Sequence, residues 1–353
     1  MRKTITFLIG NGLGKSLDAN YFDFKQGMEK GWDRTKSKKI KSLIKDSLGK
    51  AKPRKEKDLE IIQDCFLKLQ SIEYQIKGLP NALKKALELH INKDKERYFN
   101  YLFNVSSHFY HYQPTDAEPR VLAKFNTFMN NFCSYIRKKW IAGDTVHVAT
   151  LNYDGLLYKN FIKNEGILNG LDGCLVDGIT DAGFKKEYLQ PKYGKNFGWF
   201  LHLHGSPLFY SEYNSIKKNT YKQGTSSSEA VLYKPGRKHI ILCHPKQKYE
   251  SIQYSNILSE YLEHFKVAIN HTDYLVILGY GGEDTYINEI IKSSLKKAGT
   301  IFVIERSAEE SSEERSIFWK ARLCPNGTKF KLIQKETILD FNFSCTTPDV
   351  TGL

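Results

Sequence analysis

Four short segments hold the residues whose types and spacing could do chemistry, and each follows a run of apolar, strand-forming residues. In Phe200-Leu201-His202-Leu203-His204-Gly205-Ser206 that run ends in His-Gly. An imidazole titrates near neutrality, so His204 at a strand end suits a general base; a structural histidine is the alternative. Alternation along a strand would turn His202 and His204 to one face, as a chelating pair needs. No cysteine or carboxylate nearby completes a ligand set, so no metal is expected. Asn152-Tyr153-Asp154 comes directly after residues 146–151 (VHVATL). Polar residues just past a strand's carboxyl end are where open α/β sheets contact ligands. Capping of a helix that starts at Gly155 is the other reading of Asn152 or Asp154.

The other two segments are glycine turns. Gly10-Asn11-Gly12-Leu13-Gly14-Lys15-Ser16 is no P-loop, because three residues, not four, separate Gly10 from the Gly-Lys-Ser. It is not G-x-G-x-x-G either, since its third glycine falls one place early. What remains is a strand feeding a turn with no Cβ to block backbone approach, then a helix start that can face a phosphate. Gly10, Asn11, Gly12 and Ser16 are the candidate cofactor contacts there, and a tight turn with no ligand has the same composition. In Leu278-Gly279-Tyr280-Gly281-Gly282-Glu283-Asp284, Gly279 would let a backbone approach a ligand and Asp284 would cap the next helix. Glu305 ends residues 301–305 (IFVIE), where dinucleotide-binding sheets use an acid to hold ribose hydroxyls. A polar strand end is the simpler alternative.

The elements that must position these residues are legible from periodicity. Thr4–Ile9, residues 146–151 and Tyr274–Leu278 read as buried parallel strands, joined by 301–305 and by 238–243 (KHIILC). Residues 252–269 and 284–297 carry apolar stripes at a 3.6-residue period. Strand and helix alternate over 146–335, which predicts an α/β fold, a Rossmann-like and mostly parallel sheet. Residues 25–145 show helical periodicity and no strand. The expected organisation is a nucleotide-binding domain over 1–24 and 146–345, a helical insertion over 25–145 and a tail over 346–353.

Composition bounds the partners. The 353 residues are 41% hydrophobic and 26% charged, so the chain can bury a core. Its net charge is +14, of which a local excess of +9 falls within residues 25–57 (13 Lys and Arg against 4 acids). A solvated helix face or loop explains such a run, while a polynucleotide or acidic partner is the functional reading. The six cysteines, at 65, 133, 174, 243, 324 and 345, are never closer than 21 residues, which excludes a C-x-x-C zinc or redox pair. Scattered cysteines, an amino-terminal apolar run too short for a signal peptide and no membrane-length run predict a cytoplasmic protein.

The order of the four segments resembles the sirtuin-like, NAD-consuming family. Thr150-Leu151-Asn152-Tyr153-Asp154-Gly155-Leu156 is similar to the sirtuin T-Q-N-x-D-x-L stretch, and His204-Gly205 to its catalytic His-Gly. The resemblance covers residues 4–24 and 146–306 and is nearer the bacterial antiphage NADases than the protein deacylases. Here the family's G-A-G-x-S loop reads G-N-G-L-G, placing Ser16 two positions late. The deacylases' G-I-P-D-F-R stretch and four-cysteine zinc module are missing, so no zinc is expected.

The resemblance implies NAD⁺ as substrate, with Asn152 and His204 catalytic and Asp154 orienting the loop or the ring. Gly10, Asn11, Gly12, Ser16, Gly205, Gly279, Tyr280, Asp284 and Glu305 would contact the dinucleotide. The expected activity is hydrolysis to ADP-ribose and nicotinamide, as the toxic effector of an antiviral, abortive-infection system. Such an enzyme must be gated, and with little chain after residue 345 the control is expected in trans. The implied partners are copies of itself and a regulatory protein of the defence ATPase or short Argonaute type. Direct nucleic-acid contact by the basic insert remains open, and no membrane is involved. The competing readings are a module that binds NAD⁺ or ADP-ribose without chemistry, and an ADP-ribosyltransferase.

Overall fold

Apolar runs buried on both faces favour parallel pairing, and the chain follows this. The computed structural model describes residues 2–343 apart from 165, 170–172, 191–196, 213–214, 219–238, 242–251, 253–254, 297–298, 308–309 and 326. Cys243, Cys345 and the tail 346–353 lie outside the described residues. Strands β1 (Thr4–Ile9), β2 (Thr145–Thr150) and β3 (Leu175–Val176) are followed by a small antiparallel pair, β4 (Ile179–Thr180) and β5 (Gly183–Phe184). Strand β6 (Gly198–His202) precedes a second pair, β7 (Phe209–Glu212) and β8 (Ser215–Lys218). Then come β9 (Tyr274–Leu278), β10 (Thr300–Arg306) and β11 (Lys329–Lys335). Seven of these form one parallel sheet, in the order β11-β10-β9-β1-β2-β6-β3. From β1 the chain first builds to one side through β2, and later to the other through β9. The order therefore reverses beside β1, the position at which open α/β sheets bind ligands.

The predicted strand over 238–243 is corrected. Among the described residues only Ile240 pairs, in a single antiparallel bridge to Gly205. Residues 238, 242 and 243 lie outside the described set. A short apolar run carries no period that separates a strand from an extended loop.

Between β1 and β2 the chain is helical, as its periodicity predicts: α1 (Gly12–Lys15), α2 (Phe24–Arg34), α3 (Lys38–Leu48), α4 (Glu56–Gln75), α5 (Asn81–Tyr110) and α6 (Pro119–Ile141). The basic run therefore lies mostly on helices. Ser37 caps α3, accepting from Ile40 N at 3.3 Å, and Ile40 and Ile44 face inward while Lys38, Lys39 and Lys45 are exposed. Helix α6 packs on the sheet, with Phe132 4.9 Å from Phe7 of β1. Sheet and helices share one continuous apolar core. After β2 follow α7 (Leu156–Lys163), α8 (Asn256–His271), α9 (Thr285–Ser294) and α10 (Ser312–Leu323). No helix among the described residues is long and apolar enough to cross a membrane.

Candidate active site

Register decides which residues meet. Pairing aligns Leu278, Ile9, Thr150 and His202 across β9, β1, β2 and β6. Each ladder runs one residue further, with Gly10 N on Leu278 O (2.9 Å), Leu151 N on Ile9 O (3.0 Å) and Leu203 N on Thr150 O (3.0 Å). The residues beyond these are released into loops at the carboxyl edge. Asn152, His204 and Asp284 all come from those loops.

Asn152 is 5% exposed. Its backbone N–H donates to Thr150 Oγ1 at 3.1 Å, and its Nδ2 donates across to the Gly10 carbonyl at 3.0 Å. A carbonyl only accepts, so this bond fixes which way the amide points. The other end of the amide, Oδ1, is buried and has no hydrogen-bond partner among the described residues. An orphaned buried acceptor costs about 1–3 kcal/mol, and ribose hydroxyls or a water are donors that would satisfy it. The site thus fits a ligand or water that offers a hydrogen-bond donor.

Asp154 precedes α7 and accepts from Leu156 N at 3.0 Å, so the capping interaction is present. It is also buried. Burial pushes its carboxyl up to about 6, against the lowering effect of the Leu156 N–H, Lys159 and Asn152. The Asn152 interaction ties the two residues of the Asn-x-Asp pair into one loop.

His204 and Asp284 are 80 residues apart in sequence and meet with Nε2 3.0 Å from Oδ2. The other carboxylate oxygen of Asp284 caps α9, accepting from Ile287 N at 3.2 Å. One side chain therefore starts the helix and holds the imidazole. Because the carboxylate only accepts, Nε2 carries a proton, and in the neutral ring Nδ1 is the basic nitrogen. Nδ1 lies 3.5 Å from the Tyr153 hydroxyl, which itself donates to the Ile241 carbonyl. Gly205 makes this turn possible. Its φ is +79°, and a Cβ would lie 1.7 Å from the His239 carbonyl oxygen. Tyr280 braces the loop carrying Asp284, donating to Asn288 Oδ1 (2.9 Å) and accepting from Asp284 N (2.9 Å).

The other expected residues also have neighbours of their own within the protein. His202 and His204 do not share a face. Strand β6 ends at His202, and His204 lies in the following turn. His202 sits among aromatics, with Phe200 at 4.7 Å and Phe209 at 5.5 Å, and burial pushes its pKa down to about 3. Among the described residues, no group of three or more His, Cys, Asp or Glu is placed to hold a metal. Gly10 and Gly12 are required by their neighbour strand: a Cβ on Gly10 would lie 2.5 Å from Tyr280 Cα, and one on Gly12 2.6 Å from Gly279 Cα. The amide of Gly12 donates to the Gly279 carbonyl at 2.7 Å. Asn11 Nδ2 holds the Phe22 carbonyl (2.9 Å), and Ser16 Oγ bonds back to Gly12 O (2.8 Å).

Glu305 is likewise claimed by the protein. Its Oε1 accepts from Arg315 Nε (3.0 Å) and Gln334 Nε2 (3.3 Å), and its Oε2 from Arg315 Nη2 (2.7 Å) and Trp319 Nε1 (2.8 Å). Four donors fill the roughly four acceptor positions of a carboxylate. Burial raises its pKa, but these partners outweigh that and hold it below the ordinary value. Sequence reasoning had no signal for the His204–Asp284 pair or for Tyr153, because periodicity reports burial and not which loops converge.

Comparison with known proteins adds one match. A family model described as SIR2-like domain matches residues 146–324, half of the chain, from β2 through α10. That span contains Asn152, Asp154, His204 and Asp284. A search of the curated proteins finds no match to the chain.

Proposed function

Because the chain belongs to the SIR2-like domain family, an NAD-related kind of enzyme, we propose that it hydrolyses NAD⁺ to ADP-ribose and nicotinamide. The observation that carries this reading is the buried, unpartnered Oδ1 of Asn152, in the same cluster of strand-end loops as the His204–Asp284 pair. Nicotinamide is a good leaving group because it departs neutral, leaving an oxocarbenium-like ribose. The bond from the ribose anomeric carbon to nicotinamide breaks, and a water oxygen takes its place. Asn152 Oδ1 accepts a hydrogen bond from that water or from a ribose hydroxyl, which orients it. His204 takes the released proton on Nδ1, and Asp284 stabilises the imidazolium that results. Asp154 holds the Asn152 loop.

In purified protein, alone and with its partner, NAD⁺ loss and ADP-ribose gain are followed by chromatography. Asn152→Ala and His204→Ala should each lose at least about a hundredfold in rate; full activity in both would sink the assignment. Recovery of unchanged NAD⁺ with saturable binding would replace it with a binding module. Transfer of a labelled ADP-ribose to protein or nucleic acid would replace it with a transferase. An enzyme that drains NAD⁺ endangers its own cell, so we place it under control by self-assembly or a regulatory partner, as the effector of an antiviral system. A monomer fully active at cellular concentration would contradict that control.

A further inference from the structure

The turn between α2 and α3 and one face of α5 border a half-open cavity of about 280 Å³, lined by none of the strand-end residues. Arg34 ends α2, Lys36 and Ser37 form the turn, and Arg97, Asn100 and Asn104 come from α5. Their spacing of three and four residues puts the α5 group on one stripe. Two arginines and a lysine therefore contribute to the lining of one small concavity. Asp94 is the carboxylate beside them, accepting from Arg97 Nη1 at 2.5 Å and 3.5 Å from Lys39 Nζ. That contact aims the Arg97 guanidinium and offsets part of its charge. Arg34 and Lys36 have no ion-pair partner among the described residues. The amino end of α3, an eleven-residue helix capped by Ser37, adds partial positive charge. Asn104 Nδ2 donates to Thr35 Oγ1 at 3.1 Å, which fixes that amide at the cavity wall.

We propose that this cavity binds a phosphate-bearing small molecule of nucleoside-monophosphate size. Arg34, Lys36 and Arg97 hold the phosphate, since guanidinium forks match its oxygens. The amides of Asn100 and Asn104 meet the hydroxyls or base of the remainder. The volume lies just below the usual range for ligand pockets, which limits the ligand to about one nucleotide. A polynucleotide backbone would instead follow the exposed lysines of α3 and would not need a concavity of this size. Helix α5 continues from the cavity to Tyr110, whose carbonyl accepts from Lys159 of α7 at 3.4 Å. The cavity is thus one helix away from the loop holding Asn152.

Binding is measured by calorimetry on the full chain carrying His204→Ala, so that the result does not depend on the hydrolysis proposed above. The probes are AMP, inorganic phosphate and an oligo-dT strand. AMP should bind saturably and more weakly as salt rises, with inorganic phosphate competing. Arg34→Ala and Lys36→Ala, both at exposed positions, should each cost at least about tenfold in affinity. Lys45→Ala, on α3 and outside the cavity, should change little. The proposal fails if AMP does not bind, if the Arg34→Ala/Lys36→Ala double variant binds it unchanged, or if only the oligonucleotide binds.

Discussion

Asp284 divides its two carboxylate oxygens between the first turn of α9 and Nε2 of His204. Asparagine caps helices about as well as aspartate, so Asp284→Asn separates the two roles. The variant should keep its melting temperature while NAD⁺ turnover falls at least about tenfold. Asp154 tests burial in the same way. Its carboxyl titrates near 3.8 when unfolded and about 6 when folded. The native state therefore binds its proton more tightly, and stability falls as pH rises through that window. The difference is on the order of 3 kcal/mol. Asp154→Asn cannot ionise, so denaturant melts from pH 4 to 7 should show the variant gaining on the parent by about that amount. An unchanged difference would mean Asp154 is not held protonated.

At the scale of elements, the site depends on how tightly neighbouring strand ends approach. The β1 and β9 turns touch through Gly10, Gly12 and Gly279, while Gly205 turns the chain from β6 past His239. Two glycines with the same sign of φ should behave differently. Gly205→Ala combines φ of +79° with a contact at 1.7 Å to backbone and should cost more than about 3 kcal/mol. Gly49, the cap of α3, has φ of +63° and open space, so Gly49→Ala should cost about 1 kcal/mol. Urea melts of the pair would show whether contact or φ dominates. Some of the strands and helices were legible in the sequence: β1 and β9 fall at the residues their apolar runs mark, and α9 starts where Asp284 predicts. Residues 238–243 were not, because pairing partners are distant in sequence and a run of six carries no distinguishing period.

Across the whole molecule, helices α2 to α6 and the sheet share one core, with Phe132 packed between Phe7 and Phe343 at 4.9 and 4.7 Å. Removing that ring should cost about 3–5 kcal/mol. Phe132→Ala should lower the single unfolding transition of the whole chain, with circular dichroism and tryptophan fluorescence changing together. Separate transitions for helices and sheet would contradict a shared core. Charge at this scale is also local. Of the net +14, the excess of +9 within 25–57 lies on α2, α3 and the segments beside them. Part of it lines the proposed phosphate cavity.

By itself, the sequence determined the α/β class, the helical character of residues 25–145, and Asn152, Asp154 and His204 as the residues to watch. The first two follow from hydrophobic period, and the three residues from polar side chains placed after strands together with the resemblance of their motifs to the sirtuin-like family. The tertiary structure alone decided which of the candidates lie together. It joined His204 to Asp284, left Asn152 Oδ1 buried without a partner, and gave Glu305 to Arg315 and Trp319. It also turned His202 into the core and assigned the first glycines to strand packing. The reason is that register and loop convergence depend on contacts between residues tens to hundreds of positions apart. A one-dimensional pattern records which side chains are buried, and not which neighbours share that burial.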